Sequence, residues 1–303
     1  MNKNKRWTAE NIPSQKGRVV IVTGSSSGIG YEAARVLANK EAKVIVAVRN
    51  MEKGEVAKAK IINQNKNADV EVIKIDLSDL SSVKSFANEF VKNYDKLDIL
   101  INNAGVMIPP YSKTKDGFEL QMGTNHFGHF ALTLQLLDLI KSTPNSRIVN
   151  VSSGAHKFGN INFDDLNWEN RKYKPMSSYG DSKIANLYFT SELAKKLSGN
   201  DNNILVTSAH PGWTATDLQR HSGFFDFMNG FFAMSIPQGT LPTLRAATDL
   251  EAQSGDYYGP HAFGEWRGYP IKVEPNKLAK DESIAKKLWD ISEELTKVKF
   301  NVN

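Results

Sequence analysis

Short apolar runs of strand length alternate with amphipathic stretches along most of the chain. The runs are almost continuous rather than alternating, which is typical of strands that a parallel sheet buries on both faces. The predicted strands are Arg18–Thr23, Lys43–Val48, Val70–Ile75, Leu97–Ile101, Arg147–Val151 and Ile204–Ala209. The predicted helices lie near 28–40, 51–64, 79–94, 117–141 and 178–198. This order predicts an α/β fold with one doubly wound parallel sheet of about seven strands and helices on both faces.

Because no linker divides the chain, the pattern predicts one domain over 17–303, preceded by an irregular arm over 1–16. Two long stretches interrupt the alternation. Residues 156–177 are rich in Asn, Asp, Trp and Lys, and residues 211–236 carry five phenylalanines. Both follow predicted strands at the carboxyl edge, where open parallel sheets bind their ligands. We interpret 211–236 as a substrate loop, with a core helix or an oligomer interface as the alternatives.

The composition removes several classes of function. Without cysteine, the 303-residue chain has neither disulfides nor thiolate chemistry. Its net charge is +5, but the lysines are scattered among acidic residues, so we expect no nucleic-acid partner. No apolar run approaches the roughly 20 residues that span a bilayer and no signal peptide is evident, so we expect a cytoplasmic protein without a membrane span. The six histidines show no metal-binding pattern, so we expect no metal.

A glycine-rich turn joins the first predicted strand to the first predicted helix. Glycine lets the backbone approach a diphosphate closely, and a helix N-terminus offers free N–H groups and a positive dipole. The segment therefore predicts a dinucleotide cradle, although a serine–glycine loop without a ligand can share the pattern. The predicted cradle residues are Gly24, Ser26, Ser27, Gly28, Ile29 and Gly30.

The end of the second predicted strand favours NADP(H) over NAD(H). An acidic residue there would bind both ribose hydroxyls, whereas this chain has Arg49, which can pair with a 2′-phosphate. The alternative is a surface arginine at a strand end. Other strand exits supply the remaining predicted contacts, which are Asp76 and Leu77 at the adenine, Asn103, Ala104 and Gly105 beside the ribose, and Pro211, Gly212 and Thr216 at the nicotinamide amide.

Tyr179 and Lys183 are four residues apart on a predicted helix, so they share one face. A nearby ammonium and a cationic nicotinamide favour the phenolate and should lower the pKa of Tyr179 from its ordinary value of about 10. Tyr179 could then act as both acid and base. Ser152 and Ser153 end a predicted strand. Because alternate side chains face opposite ways, only one of them should hold the substrate oxygen.

Asn125 lies inside the long predicted helix 117–141, where asparagine is mildly unfavourable. We interpret it as the site of a local backbone disturbance that binds a water and relays protons from Lys183. An ordinary polar helix residue is the alternative.

In this order and context, the motifs resemble those of the short-chain dehydrogenase/reductase family over nearly the whole chain. The matching elements are Thr23–Gly30, Asp76, Asn102–Gly105, Asn125, Ser153, Tyr179, Lys183 and the Pro211-Gly212-x-x-x-Thr216 run. The segments Asn125–Thr133 and His210–Gly212 resemble the retinol dehydrogenase and WW-domain oxidoreductase branch. Trp7-Thr8, Asp256–Pro260 and Leu288-Trp289 resemble its soluble microbial members.

The resemblance implies a Rossmann-type NAD(P)-binding catalytic domain with a tetrad of Asn125, Ser153, Tyr179 and Lys183. It favours Ser153 over Ser152, and it implies that Tyr179 and Lys183 also contact the cofactor. It further implies homodimers or homotetramers that pack through the helices near 117–141 and 178–198.

We therefore expect an NADP(H)-dependent oxidoreductase that interconverts a lipophilic aldehyde or ketone and its alcohol by hydride transfer, with Tyr179 as acid and base. Residues 213–234 favour an apolar substrate, because the segment is rich in aromatic and methionine side chains. It contains one arginine and no lysine, so an anionic substrate would find few partners there. One alternative is a catalytically idle NADP(H)-sensing regulatory protein, against which the intact tetrad argues. Another is an isomerase or dehydratase, for which no extra acid–base group is evident.

Overall fold

One eight-stranded sheet organises the protein, whose computed structural model describes residues 6–199, 203–214 and 233–301. The strands are β1 (Val19–Thr23), β2 (Lys43–Val48), β3 (Asp69–Lys74), β4 (Ile99–Asn102), β5 (Arg147–Val151), β6 (Leu205–Ala209), β7 (Tyr257–Ala262) and β8 (Arg267–Lys272). They are ordered β3-β2-β1-β4-β5-β6-β7-β8. Seven strands are parallel, and β8 pairs antiparallel with β7 at the edge. The predicted doubly wound α/β fold is confirmed.

The helices cover both faces of this sheet. They are α1 (Gly28–Asn39), α2 (Met51–Gln64), α3 (Leu80–Asn93), α4 (Leu120–Met122), α5 (Gly128–Gln135), α6 (Leu137–Ser142), α7 (Pro175–Lys196), α8 (Ile236–Thr248) and α9 (Glu282–Thr296). Alternate strand residues feed two cores: Ile21 packs with the α3, α5 and α7 side, and Val20 and Val22 pack with the α1 and α8 side. Burial on both faces explains why the strands read as continuous apolar runs.

The predicted helix 117–141 is not continuous. Glu119 caps α4 by accepting the backbone N–H groups of Gln121 and Met122, and a π-helical turn over Gly123–Phe127 separates α4 from α5. Asn125 lies in this turn, so the predicted backbone disturbance is present. A second break at Leu136 separates α5 from α6.

Two further differences concern helix and arm boundaries. The helix expected from residue 178 begins at Pro175, because proline suits the first helical position, where an N–H would have no partner. The described part of the arm, residues 6–16, contains a 3₁₀ turn at Ala9–Asn11, and Ile12 is buried in the core. The arm therefore packs on the domain.

The two helical regions expected to pack between subunits are only partly buried within the chain, and both keep exposed residues toward their C-terminal ends, including Asp138 and Lys195. Residues 121–134 and 178–190 are buried without exception. Their cover comes partly from α9, which packs against α7 and places Trp289 in the core. None of the helices in the described part of the chain combines the length and apolar character needed to cross a membrane.

Candidate active site

A cleft of about 680 Å³ opens at the carboxyl edge of the sheet, around the point where the strand order reverses between β1 and β4. It gathers most of the residues that the sequence singled out. Those lining it are Gly24, Ser26, Ser27, Gly28, Ile29, Gly30, Arg49, Asp76, Leu77, Asn103, Ala104, Gly105, Ser153, Tyr179, Lys183, Pro211 and Gly212. Thr216 and most of the predicted substrate loop lie outside the described residues.

The glycine-rich turn between β1 and α1 packs too closely on its neighbours to accept a side chain at Gly24 or Gly30. Gly24 has φ +66°, and a Cβ there would lie 2.8 Å from the Cβ of Ala104. A Cβ on Gly30 would lie 2.5 Å from both the side-chain nitrogen of Asn103 and the carbonyl oxygen of Gly24. These two glycines let the turn pack against the strand exit at Asn103 and Ala104, and the turn lines the cleft beside the N-terminus of α1, a position that suits a dinucleotide diphosphate.

Two cations lie at the adenosine end of the cleft. Arg49 follows β2, and Lys53 lies in the first turn of α2, which Asn50 caps by accepting the Lys53 N–H at 2.9 Å. Both side chains are exposed, and Glu52, the next acid along the chain, does not line the cleft. Sequence reasoning missed Lys53, although its position one turn into a helix beside Arg49 was a readable signal.

Asp76 is held by its own strand exit. Its Oδ1 accepts the N–H and the hydroxyl of Ser78 at 3.0 and 2.6 Å, and its backbone N–H donates to Ser82 Oγ at 2.9 Å. The carboxylate thus stabilises the turn between β3 and α3, and with Leu77 it lines the same end of the cleft.

Tyr179, Lys183 and Ser153 converge at the opposite end. Lys183 Nζ lies 5.6 Å from the centre of the Tyr179 ring and donates to the carbonyl oxygen of Val151 at 3.1 Å. Both side chains are buried, whereas Ser153 is half-buried and accepts the Ala155 N–H at 3.2 Å. A phenol, a hydroxyl and an ammonium thus share one end of the cleft.

Burial opposes the pKa shift that the sequence suggested for Tyr179. It raises the pKa of the phenol to about 12, and a hydrogen bond with Ser153 offsets only part of the rise. Burial also lowers the pKa of Lys183 to about 8. The expected lowering at Tyr179 is therefore wrong for the protein alone, because removing the phenolate from water outweighs the polar contacts.

The two adjacent serines have separate roles, as strand alternation predicted. Ser152 is buried, and its hydroxyl donates to the carbonyl oxygen of Lys183 at 2.8 Å. Ser153 caps the 3₁₀ turn Gly154–Phe158 and keeps its hydroxyl beside Tyr179. The hydroxyl of Ser152 is committed to α7, so Ser153 is the serine available to a ligand.

Asn125 does not line the cleft but lies directly behind it. Its side chain bonds Val106 twice, accepting the N–H at 2.8 Å and donating to the carbonyl at 3.0 Å. It also donates to Ser182 Oγ at 2.9 Å. Asn125 therefore ties the π-helical turn to the strand exit after Gly105 and to the catalytic helix α7.

Residues from the β7–β8 turn close the remaining side of the cleft. The rings of Trp213 and Trp266 stack with centroids 5.6 Å apart, and Glu265 Oε2 lies 3.2 Å from His210 Nε2 and 3.5 Å from Lys157 Nζ. Sequence reasoning missed Glu265 and Trp266, because β7 and β8 were not predicted, and it also missed Lys157, which lies in the 3₁₀ turn after Ser153.

Among the described residues, no three acidic or histidine side chains converge as a metal site requires. A family model described as short chain dehydrogenase matches residues 18–223. The chain belongs to the short-chain dehydrogenase family. The resemblance read from the motifs is confirmed.

Individual members of the family are similar over most of their length. Retinol dehydrogenase 11 of Homo sapiens is 43% identical over 281 residues, covering 91% of this chain and 85% of that protein. A crystal structure of an uncharacterised protein from Mycobacterium paratuberculosis matches with a TM-score of 0.82 at 41% identity, covering 98% of this chain and 100% of the other. The Pseudomonas aeruginosa RhlG/NADP active-site complex matches with a TM-score of 0.63 at 26% identity, covering 80% and 94%. As a short-chain dehydrogenase, the protein is an oxidoreductase that acts on CH–OH and C=O groups.

Proposed function

We propose that the protein is an NADP(H)-dependent oxidoreductase that interconverts a lipophilic aldehyde or ketone and its alcohol. The observation that carries this proposal is the convergence of Ser153, Tyr179 and Lys183 at one end of a cleft whose other end is the glycine-rich cradle. NADP(H) bound in that cradle supplies the hydride for reduction or accepts it for oxidation.

Each residue has a role that its position supports. The half-buried Ser153 holds the carbonyl oxygen by a hydrogen bond, and Tyr179 donates its proton to that oxygen. The ammonium of Lys183 stabilises the phenolate that remains and binds the nicotinamide ribose. Asn125 maintains the separation between the strand exit at Val106 and α7 through its bonds to both.

The preference for NADP(H) rests on charge at the adenosine end. Arg49 and Lys53 are the cations that line the cleft there, and both can approach a 2′-phosphate. The likeness to RhlG in complex with NADP supports the same choice. We expect NADPH to bind more tightly than NADH in a fluorescence titration at fixed ionic strength. Equal dissociation constants for the two cofactors would contradict this preference.

An apolar substrate is supported by the described rim of the cleft, which includes Met107, Phe158, Met176, Trp213 and Trp266. The relatives named retinol dehydrogenases point the same way. The test is kcat/KM across linear aldehydes of increasing length. Each buried methylene should add up to about 0.8 kcal/mol until the pocket is full. A flat profile, or a preference for small charged carbonyl compounds, would refute the lipophilic assignment.

The cofactor titration and the aldehyde series also test the alternative function, a catalytically idle NADPH-sensing protein. Such a protein would bind NADPH with the same preference but reduce none of the aldehydes. A cytoplasmic location remains part of the proposal, and fractionation of the cells that express the protein would test it.

A further inference from the structure

His129, on α5, joins two parts of the site that are far apart in sequence. The ring is buried, with Nδ1 3.0 Å from the backbone oxygen of Asn125 and Nε2 2.9 Å from Thr23 Oγ1. A carbonyl oxygen can only accept, so Nδ1 carries the proton and Nε2 accepts the hydroxyl proton of Thr23. The two bonds together define one neutral tautomer.

On the far side of this bridge, Thr23 supports the strand exit that lines the cleft. Its Oγ1 accepts the backbone N–H groups of Asn103 and Ala104, each at 2.9 Å. The single hydroxyl proton of Thr23 has two acceptors within reach, His129 Nε2 at 2.9 Å and the carbonyl oxygen of Ile101 at 3.4 Å, and we assign it to the nearer His129. Ala104 in turn faces Gly24 in the cradle.

On the near side, the bridge ends on the π-helical turn. The backbone oxygen of Asn125 receives the His129 ring N–H, while the Asn125 side chain bonds Val106. The turn is therefore tied to the 103–106 strand exit by two routes, one direct and one through His129 and Thr23. Burial lowers the pKa of His129 to about 4, which keeps the ring in the neutral state that both bonds require.

We propose that His129 is a positioning residue that holds the cofactor-facing strand exit at Asn103–Gly105 in register with the π-helical turn behind Lys183. This inference rests on the proposed function, because register at that point matters to hydride and proton transfer. Loss of the bridge should lower kcat and weaken NADPH binding, and it should leave the KM for the aldehyde nearly unchanged.

A matched control lies three residues away. His126 is equally buried, but its Nε2 lies 2.9 Å from Ser292 Oγ of α9, a helix that does not line the cleft. Burial lowers its pKa to about 3, so it too is neutral. Replacing His126 should therefore report the cost of losing any buried histidine from this region.

The experiment compares His129→Leu, His129→Gln and His126→Leu for urea stability, NADPH affinity, kcat and KM. We expect His129→Leu to lower kcat about 10-fold or more, the factor that each 1.36 kcal/mol of barrier gives. His129→Gln should recover part of the loss, because an amide keeps one donor and one acceptor. His126→Leu should change stability while kcat stays within about 2-fold. A His129→Leu enzyme that loses stability but keeps kcat, or a His129→Gln enzyme no better than His129→Leu, would overturn the proposal.

A second measurement needs no turnover, so it separates failure of this inference from failure of the proposed function. We expect His129→Leu to weaken NADPH binding by about 3- to 10-fold, the range of a single hydrogen bond. Thr23→Val should weaken it at least as much, because it also removes the acceptor of the Asn103 and Ala104 N–H groups. If both residues act through one bridge, the double variant should bind NADPH hardly more weakly than the single variant with the larger loss. Additive losses, or no loss for His129→Leu, would refute the bridge even if the enzyme reduces aldehydes. Binding effects as expected in a protein that reduces no carbonyl would reject the proposed function and leave the bridge standing.

Discussion

At the scale of single residues, burial decides the protonation of Tyr179 and Lys183, the two groups to which we assign the proton transfer. The pKa of Tyr179 is raised to about 12, so the phenol is protonated at neutral pH and ready to act as the acid in reduction. The pKa of Lys183 is lowered to about 8, so the ammonium is retained at pH 7 but lost in mildly alkaline solution. Both shifts have the same cause, which is removal of the charged form from water.

Tyr179→Phe should preserve the fold and NADPH affinity, because the ring remains and only the hydroxyl is lost. We expect kcat for aldehyde reduction to fall about 10²- to 10⁴-fold, the range of general acid–base catalysis. Steady-state kinetics with saturating NADPH measure the loss. Turnover close to that of the unmutated enzyme would show that another group donates the proton.

The adjacent serines should differ sharply when each is replaced by alanine. Ser153→Ala removes the hydroxyl beside Tyr179 and should lower kcat about 10²- to 10³-fold, as loss of an oxyanion donor does. Ser152→Ala removes a buried bond to the Lys183 carbonyl, so it should mainly cost stability, by about 1 kcal/mol. Kinetics and urea unfolding of both variants provide the comparison, and a reversed ranking in kcat would mean that the wrong serine was chosen.

The alkaline limb of the pH profile should report Lys183. As pH rises through about 8 the ammonium is lost, the phenolate loses a stabilising charge, and kcat/KM for reduction should fall. Lys183→Arg, whose guanidinium stays charged, should be slower overall but keep its rate to higher pH. An identical alkaline limb in the unmutated enzyme and in Lys183→Arg would assign that limb to another group.

The free energy of unfolding should have the opposite trend with pH. The unfolded chain binds the Lys183 proton up to about pH 10.5, so the contribution of Lys183 to stability rises between pH 8 and 10.5.

Sequence reasoning located these residues but not their ionisation. The spacing of Tyr179 and Lys183 places them on one helix face, and strand alternation separates Ser152 from Ser153, because both rules are local. The direction of the Tyr179 pKa shift depends on what covers the ring. That cover comes from distant segments, which local patterns do not report.

At the scale of elements, the stretch 156–177, which we call the insertion, packs against the rest of the domain before α7 rather than forming a loose loop. Glu119 is fully buried, accepts the Gln121 N–H at 3.0 Å and the Met122 N–H at 2.8 Å, and receives the Tyr173 hydroxyl at 2.8 Å. Gln121 in turn donates to the Pro175 carbonyl at the start of α7. The carboxylate therefore holds the insertion, α4 and α7 together.

Glu119→Gln should destabilise the protein by about 1–3 kcal/mol. One N–H or O–H donor that Glu119 now accepts would face the NH2 of the new amide, which cannot accept a hydrogen bond. Urea unfolding gives the free energy of unfolding. The control is Glu169→Gln, which removes an exposed carboxylate paired with Lys113 and should change stability by no more than about 1 kcal/mol. Equal small effects would show that the insertion is held by other contacts.

Periodicity predicted β1–β6 and α1–α3 within two residues, but it did not predict α8 or α9 and it failed where tertiary contacts set the backbone. Residues 117–141 look like one helix, but Glu119 starts a short α4 and a π-helical turn shifts the register at Asn125. The edge pair β7–β8 was missed because it carries Gly259, Pro260, Gly268 and Pro270, which are unfavourable in strands.

At the scale of the whole molecule, the topology separates two tasks across one cleft. The reversal of strand order between β1 and β4 opens the edge of the sheet, with the cradle and Arg49 on one side and Tyr179 on the other. Helix α9 packs against α7 and adds Trp289 to the core beside it. A ligand that spans the cleft would join strand exits from both halves of the sheet, and it should stabilise the entire fold.

This link between cofactor and fold can be measured as thermal stability. A ligand that binds only the native state adds about 2.7 kcal/mol at a concentration 100 times its dissociation constant. NADPH should therefore raise Tm more than an equal concentration of NADH. Arg49→Ala should weaken NADPH binding by roughly 1–3 kcal/mol, the range for hydrogen bonds to charged groups. It should therefore remove most of the difference in Tm between NADPH and NADH. Lys60→Ala removes the same charge from an exposed position on α2 outside the cleft, so it should leave both shifts unchanged. Equal loss in the two variants would mean that net charge, rather than a phosphate contact at Arg49, sets the cofactor preference.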